Sequence, residues 1–374
     1  MIQRAYLDNN ATTPTDPRVV EVMLPYFSEK FGNASSRNHA YGWEAKEAVD
    51  HAREQVAELI GANPSEIIFT SGATESNNLA LKGLLNKGDH FITCTTEHKA
   101  ILDPAESLAA KGIDVKVLSI QSDGLLEVNA FEKAISEHPR LVSIMMANNE
   151  TGCIQPVKEL SAITHSNQGL FHSDATQAVG KIPVDVNELG IDLMSFSSHK
   201  MYGPKGIGAL YIRKGTKVGS LIEGGGHERG IRSGTSNVPA IVGFGKACEL
   251  CKQEMREETS KVKNLRDKLE QSLLSIEGTQ LNGGIENRLP NVTNIAFSGV
   301  DGERLLLSLN GLAVSQGSAC TSAVVKPSHV LKAMGIPDHL ANSSLRFSLG
   351  RFTTEEEIDF AIEKVTAAVK KLST

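Results

Sequence analysis

The sequence predicts an α/β protein built on a mainly parallel sheet, with a second, smaller α+β section. Three observations predict it. Short apolar runs alternate with helical patterns from about residue 40 to 215. That pattern stops after Ser236, where residues 239–275 read as one long helix. The chain has 374 residues, enough for a large core and two domains.

Taken in order, residues 66–70, 90–94, 115–118, 141–146, 170–172 and 209–212 read as strands. They are short, apolar and bounded by polar or glycine-containing turns. Helical stretches at 75–85, 97–110 and 157–166 separate them. Strand–helix alternation implies crossover connections and a sheet covered on both faces. Such sheets bind ligands at the carboxyl ends of their strands. The long helix is richly charged from Lys252 onward and could bridge two domains. After it come a strand at 292–297, a helix at 303–309 and a strand at 345–349. Thr354 and Glu357 have capping-box spacing at the start of the last helix.

The bulk numbers exclude several classes. Hydrophobic residues make up 40% and charged residues 22%, the balance of a globular enzyme. The net charge of −6 offers no basic surface for nucleic acid, so none is expected as a direct partner. The first ten residues lack an apolar stretch of the secretory type, and the run 141–147 is too short to cross a bilayer. Five cysteines without a regular framework suit a reducing, cytoplasmic setting.

The chemistry centres on Lys200, in Ser197-Ser198-His199-Lys200-Met201-Tyr202-Gly203. A lysine wrapped in hydroxyls, a histidine and glycines can form a Schiff base with pyridoxal 5'-phosphate. Ser197, Ser198 and His199 offer donors for a phosphate beside it. Asp174 closes an apolar run, where a carboxylate needs a partner. It either takes backbone amides or pairs with a protonated pyridine nitrogen. Gln177, one turn on, could reach a ring hydroxyl.

Ser71-Gly72-Ala73-Thr74 lies between a strand and a helix. The amides at Ala73 and Thr74 would seat a phosphate, or Thr74 is a plain N-cap. His98 follows a strand and either stacks on a pyridine face or is structural. Asn149 lies past another strand end, where a turn explains it equally well. Cys320 has only small or polar neighbours, which predicts an accessible loop and either a candidate nucleophile or an incidental surface cysteine. Arg346, on a strand of the second section, could clamp a carboxylate in bidentate fashion or form a structural ion pair. Cys248 and Cys251 have C-x-x-C spacing, but they sit inside a predicted helix without a second ligand pair, so no metal site is expected. Cys94 and Cys153 read as packing or incidental thiols.

Together these blocks resemble one family. They are Tyr6-Leu7-Asp8-Asn9-Asn10-Ala11-Thr12-Thr13-Pro14, residues 69–78, Thr96-Glu97-His98-Lys99, residues 174–180, residues 199–208, Gly225-Gly226-His227-Glu228-Arg229-Gly230 with Arg232-Ser233-Gly234-Thr235, and Gly317-Ser318-Ala319-Cys320-Thr321-Ser322. In this order they are similar to the cysteine desulfurases, over nearly the whole chain. The resemblance is greatest to the bacterial iron–sulfur-cluster and nitrogen-fixation group.

The resemblance implies an aspartate-aminotransferase-type fold for pyridoxal phosphate, with a mainly parallel seven-stranded sheet, and a homodimer. It implies a large domain at 14–256 and a small domain formed by 1–13 and 257–374. The small domain would carry a cysteine loop at about 312–327. Lys200 would be the imine lysine and Asp174 the partner of the ring nitrogen. Gln177 and Asn149 would reach the ring hydroxyl or substrate, and His98 would stack on the ring. Ala73, Thr74, Ser197 and His199 would hold the phosphate, with Thr235 reaching the site of the neighbouring subunit. Arg346 would take the carboxylate of L-cysteine, and Cys320 would receive its sulfur as a persulfide. A sulfur-acceptor protein such as an iron–sulfur scaffold would follow, and nitrogenase maturation or tRNA thiolation could use the same site.

Two departures stand out. Housekeeping members of the group continue into a C-terminal tail that docks the scaffold, whereas this sequence stops about twenty residues past the capped start of its last helix. Gln316 stands where a small residue is commoner. Two rival readings remain open at this level: a selenocysteine lyase or aminotransferase of the same fold, and a non-enzymatic binding protein on a degenerate one.

Overall fold

The structure is a computed structural model and describes residues 4–135, 138–316 and 327–372. In chain order its strands are β1 (Ala5–Tyr6), β2 (Ile67–Thr70), β3 (His90–Cys94), β4 (Asp114–Leu118), β5 (Leu141–Ser143), β6 (Leu170–Asp174), β7 (Leu193–Ser197), β8 (Gly208–Ile212), β9 (Thr279–Leu281), β10 (Val292–Phe297), β11 (Leu312–Ala313) and β12 (Ser344–Ser348).

Seven of them form one sheet in the order β2-β8-β7-β6-β5-β3-β4. The pairs from β4 through β7 are parallel, and β8 runs antiparallel to both β7 and β2. The sheet is thus mainly parallel, as the alternating pattern predicted. Side chains divide by the two-residue period of a strand. Ile68, Phe91, Leu141 and Leu210 enter one core, and Phe69, Ile92, Val142 and Tyr211 the other. Burial on both faces is why these strands read as apolar runs rather than alternating ones.

The sequence reading needs two corrections here. It did not identify β7, which lies between β6 and β8 and is buried throughout. Its serines made Ser195–Ser197 read as part of the lysine motif. The run at 141–146 is regular strand only to Ser143; beyond it Ile144 and Met146 donate to His172 O and Asp174 O on β6 at 3.1 and 2.9 Å.

A second core gathers Ala5 and Leu7 with Ile295, Phe347, Ile358 and Val365. It packs on the antiparallel sheet β12-β10-β9, while β1 pairs with β11. The helix Val238–Leu274 joins the two cores. Ile241, Phe244 and Cys248 belong to the first, and Val262, Leu269 and Leu273 to the second. At 1.5 Å per residue it spans roughly 55 Å, enough to reach both.

The parallel strands deliver the chemistry at one edge. β6 ends on Asp174, β7 runs into the short helical turn Ser198–Lys200, and β3 leads to His98. Because β8 returns antiparallel to β7, the connection at 198–207 folds back over that same edge with Lys200 in it.

Candidate active site

Lys200 Nζ donates to two main-chain carbonyls of the N-terminal segment, Asn10 O at 2.6 Å and Ala11 O at 2.7 Å. Gln177 Nε2 donates to the same Asn10 carbonyl at 3.0 Å. Asn10 is a junction: its N–H donates to Ser348 Oγ, its Nδ2 to Asn149 O, and its Oδ1 accepts from Asn291 Nδ2. It ties the lysine turn of the large sheet to β12 and to the loop after β5.

Asp174 is 6% exposed. Asn77 Nδ2 donates to its Oδ2 at 2.7 Å, and the N–H of Thr176 to its Oδ1 at 3.0 Å. Asn77 is itself fully buried, on the helix Ala73–Leu84, and its Oδ1 has no partner. That helix starts at Gly72, whose φ of +153° suits a residue without a side chain. Thr74 lies inside the helix rather than at its N-cap, so the capping alternative does not hold. Backbone amides of the first turn lack intrahelical partners. A Cβ on Gly208 would come within 2.7 Å of the Gly72 Cα, so glycine at 208 lets this turn lie on β8. A Cβ on Gly72 would lie 3.7 Å from Ser197 Oγ, so Ala73, Thr74 and Ser197 share one neighbourhood.

His199 bonds Thr12 Oγ1 through Nδ1 at 3.1 Å. Burial pushes its pKa down to about 4, with Lys200, Lys205 and Lys181 adding to the effect, so the ring is neutral near pH 7. His98 caps the helix Lys99–Ala109, its Nδ1 accepting the N–H of Ala100 at 3.1 Å. That bond places the proton of the neutral ring on Nε2. The residue is open to solvent on one side, yet the protein around the ring lowers its pKa, helped by Lys200 and His329 and opposed by Asp174.

Arg346 is 5% exposed on β12. Its Nη2 pairs with Asp8 Oδ1 at 2.7 Å, its Nη1 donates to Asn149 O at 3.1 Å, and its Nε is buried without a partner. Asn149 therefore meets Arg346 and Asn10 through its main-chain carbonyl. The Asp8 carboxylate also accepts from Ser315 Oγ at 2.9 Å.

Cys320 lies outside the described residues. The described chain on either side of 317–326 is tied to the site. Ser315 pairs with the backbone of Arg346, and Gln316 Nε2 donates to Asn342 O at 3.0 Å. That amide also lies over Gly302, where a Cβ would come within 2.5 Å of it, so Gln316 serves as a stem residue. On the other side Ser328 Oγ donates to the Glu150 carboxylate, and His329 Nε2 to Glu97 O at 3.0 Å. Glu97 is buried, which pushes its carboxyl up to about 8, with Asp174 adding to the shift.

Thr235 is exposed ahead of the long helix and makes no hydrogen bond to these groups among the described residues. Its segment is pinned nearby. Glu228 takes both arms of Arg53 at 2.7 and 2.8 Å and the N–H of Phe69 at 2.9 Å. Cys248 and Cys251 are buried in the long helix, and burial raises both thiols. Among the described residues no cluster of three or more metal-ligating side chains occurs.

The sequence reading assigned no role to Asp8, Asn10, Asn77, Glu228 or Lys181. Asp8, Asn10, Asn77 and Glu228 lie in the quoted blocks, but their partners are far away in the chain. The assembled groups are an amine, a carboxylate held by neutral donors, a helix start without a side-chain cap among the described residues, and an arginine fork. Such a set can hold an aromatic aldehyde that carries a ring nitrogen and a phosphate, together with an amino acid.

Residues 5–360 match the class-V aminotransferase family model. The chain is 52% identical over 375 residues to the cysteine desulfurase IscS of Edwardsiella ictaluri (strain 93-146), covering 98% of this chain and 93% of that protein. It superposes on a solved NifS-like protein with a TM-score of 0.93 at 41% identity, covering 99% of this chain and 100% of that one. It also superposes on SspA, solved in complex with cysteine, with a TM-score of 0.82 at 37% identity over 93% of this chain and 99% of that chain. The chain belongs to the class-V aminotransferases and, within them, to the cysteine desulfurases.

Proposed function

We propose that this cysteine desulfurase uses pyridoxal 5'-phosphate to convert L-cysteine to L-alanine and passes the sulfur to Cys320 as a persulfide. The observation that carries the proposal is the short path from Lys200 to Arg346. Lys200 and Gln177 meet at the Asn10 carbonyl, the Asn10 amide reaches Asn149 O, and Arg346 donates to that same oxygen. A covalent anchor and a carboxylate fork are thereby set in one frame.

The residues fit the cofactor. Asp174 is a buried carboxylate with neutral donor partners, suited to a cationic ring nitrogen. Ala73, Thr74, Ser197 and His199 would hold the phosphate. Lys200 would supply the amine for the aldehyde, and His98 and Gln177 would hold the ring. When bound, pyridoxal phosphate supplies the electron sink that loosens the Cα proton and the C–S bond.

The chain's own groups do the rest. Lys200, as the neutral amine, takes the Cα proton. Arg346 and Asn149 hold the substrate. The Cys320 thiolate forms a bond to the substrate sulfur, and the C–S electron pair stays with carbon, which gains a proton and leaves as alanine. Thr235 would serve the neighbouring site of a homodimer. Residues 14–256 form the large domain in this reading, and 1–13 with 257–374 the small one. Among the described residues no helix is long and apolar enough to cross a membrane. The four described cysteines are unpaired and buried, in keeping with a reducing cytoplasm. The persulfide would feed an iron–sulfur scaffold, with tRNA thiolation as a second outlet.

The test is Cys320→Ser. The variant should keep the visible absorbance of the bound cofactor and lose catalytic sulfide release under reductant. Unchanged turnover would favour a selenocysteine lyase or an aminotransferase. Wild-type protein that gains no imine absorbance with pyridoxal phosphate would overturn the proposal.

A further inference from the structure

Lys181 takes no part in the scheme above, yet its amine reaches a residue of the site. Gly180, with φ +80°, turns the chain after Gln177 so that it packs against Met201, the neighbour of Lys200; a Cβ there would meet the Met201 Cβ at 3.0 Å. The Lys181 backbone is held at both ends, its N–H donating to Ala178 O and its carbonyl accepting from Thr259 Oγ1, each at 3.0 Å. From that anchor its Nζ donates to Gln177 Oε1 at 2.6 Å. The other end of the Gln177 amide, Nε2, donates to Asn10 O, the carbonyl that also holds Lys200.

These partners determine which way the amide lies. A lysine ammonium can only donate, and a main-chain carbonyl can only accept. Turning the amide over would set two donors and two acceptors against each other. We infer that Lys181 is a positioning residue that holds the Gln177 oxygen away from the site, so that Gln177 presents N–H there and never its carbonyl. The inference rests on the reading that Gln177 faces the cofactor. A donor beside a ring hydroxyl favours its anionic form, and an amide oxygen disfavours it. Lys181 thus tunes the proton affinity of the bound cofactor without touching it. Burial, with Lys200 and Arg346, lowers the Lys181 pKa to about 7; an uncharged amine still donates, and the Asn10 carbonyl, which can only accept, keeps the amide in the same orientation.

The experiment is a double-mutant cycle on the holoenzyme: wild type, Lys181→Met, Gln177→Ala and the double variant. Two quantities are read: the pH midpoint of the visible band, and the dissociation constant of pyridoxal phosphate by equilibrium dialysis. Lys181→Met should raise the proton affinity of the chromophore about tenfold, the worth of one charge-assisted hydrogen bond. It should weaken cofactor binding severalfold. In the Gln177→Ala background the same substitution should change neither quantity. Lys181→Gln, which keeps a polar side chain of shorter reach, is made in parallel against misfolding and should shift both quantities in the same direction. Equal effects in the two backgrounds, or none in either, overturn the inference and leave the functional reading intact. Wild-type protein that forms no imine band overturns that reading and the inference with it.

Discussion

Asp8 occupies the arginine that is proposed to receive the substrate, and removing its charge exposes that competition. The Arg346–Asp8 pair is closed at 2.7 Å, with side-chain exposures of 6% and 19%. At an effective dielectric of about 20 and a charge separation of roughly 4 Å, their attraction is about 4 kcal/mol. Asp8→Asn keeps an oxygen for Arg346 and Ser315 and removes the charge. The guanidinium is then buried against the Asn149 carbonyl with no carboxylate partner. Leaving a buried charge uncompensated should cost about 2–4 kcal/mol and lower the melting temperature by roughly 3–5 °C. A ligand carboxylate that reaches Arg346 would supply the missing charge. By linkage, the variant should then gain more stability from a carboxylate ligand than wild type does. Differential scanning fluorimetry of the holoenzyme with and without L-alanine measures both terms. The expected result is a lower melting point without ligand, a larger rise with it, and alanine binding about tenfold tighter. A ligand-induced rise equal to or below that of wild type would show that Arg346 does not receive the carboxylate, and would refute the reasoning.

Glu228→Gln leaves Arg53 buried without its bidentate partner, so chemical denaturation should show a loss of about 3–5 kcal/mol. Asn77→Ala removes the donor to Asp174 and should weaken pyridoxal phosphate binding about tenfold in equilibrium dialysis. Asn77→Asp, which sets two carboxylates side by side, should abolish it. His172 is fully buried between Ser143 and Ser195, and burial lowers its pKa from 6.5 to about 4. The unfolded chain then binds a proton that the folded one refuses, so this contribution is intact above pH 6.5 and is lost as the pH falls toward 4. Wild type should lose about 3 kcal/mol more than His172→Gln across that window in urea titrations.

The sequence by itself determined the fold class, because β2, β3, β5, β6 and β8 are buried on both faces and so read as apolar runs between helices. It also marked Asp174, His98 and Arg346, since each is a reactive or charged residue beside or within such a run, and Lys200 by the hydroxyls, histidine and glycines around it. Recognising the family needed only the order of the motif blocks. Other features had no local signature. β7 carries serines in a central position, and only its burial between β6 and β8 shows it to be a strand. Asp8 carried no assigned role until the fold set it 2.7 Å from Arg346, 338 residues away. Asn10 became the junction of the site partly through its main-chain carbonyl, a group that every residue has, so its residue type did not mark it. Lys181 acquired a partner because Gly180 turned the chain back under the lysine loop. Residue type is written in the chain, whereas a hydrogen-bond partner distant in sequence exists only once packing brings both groups out of water together.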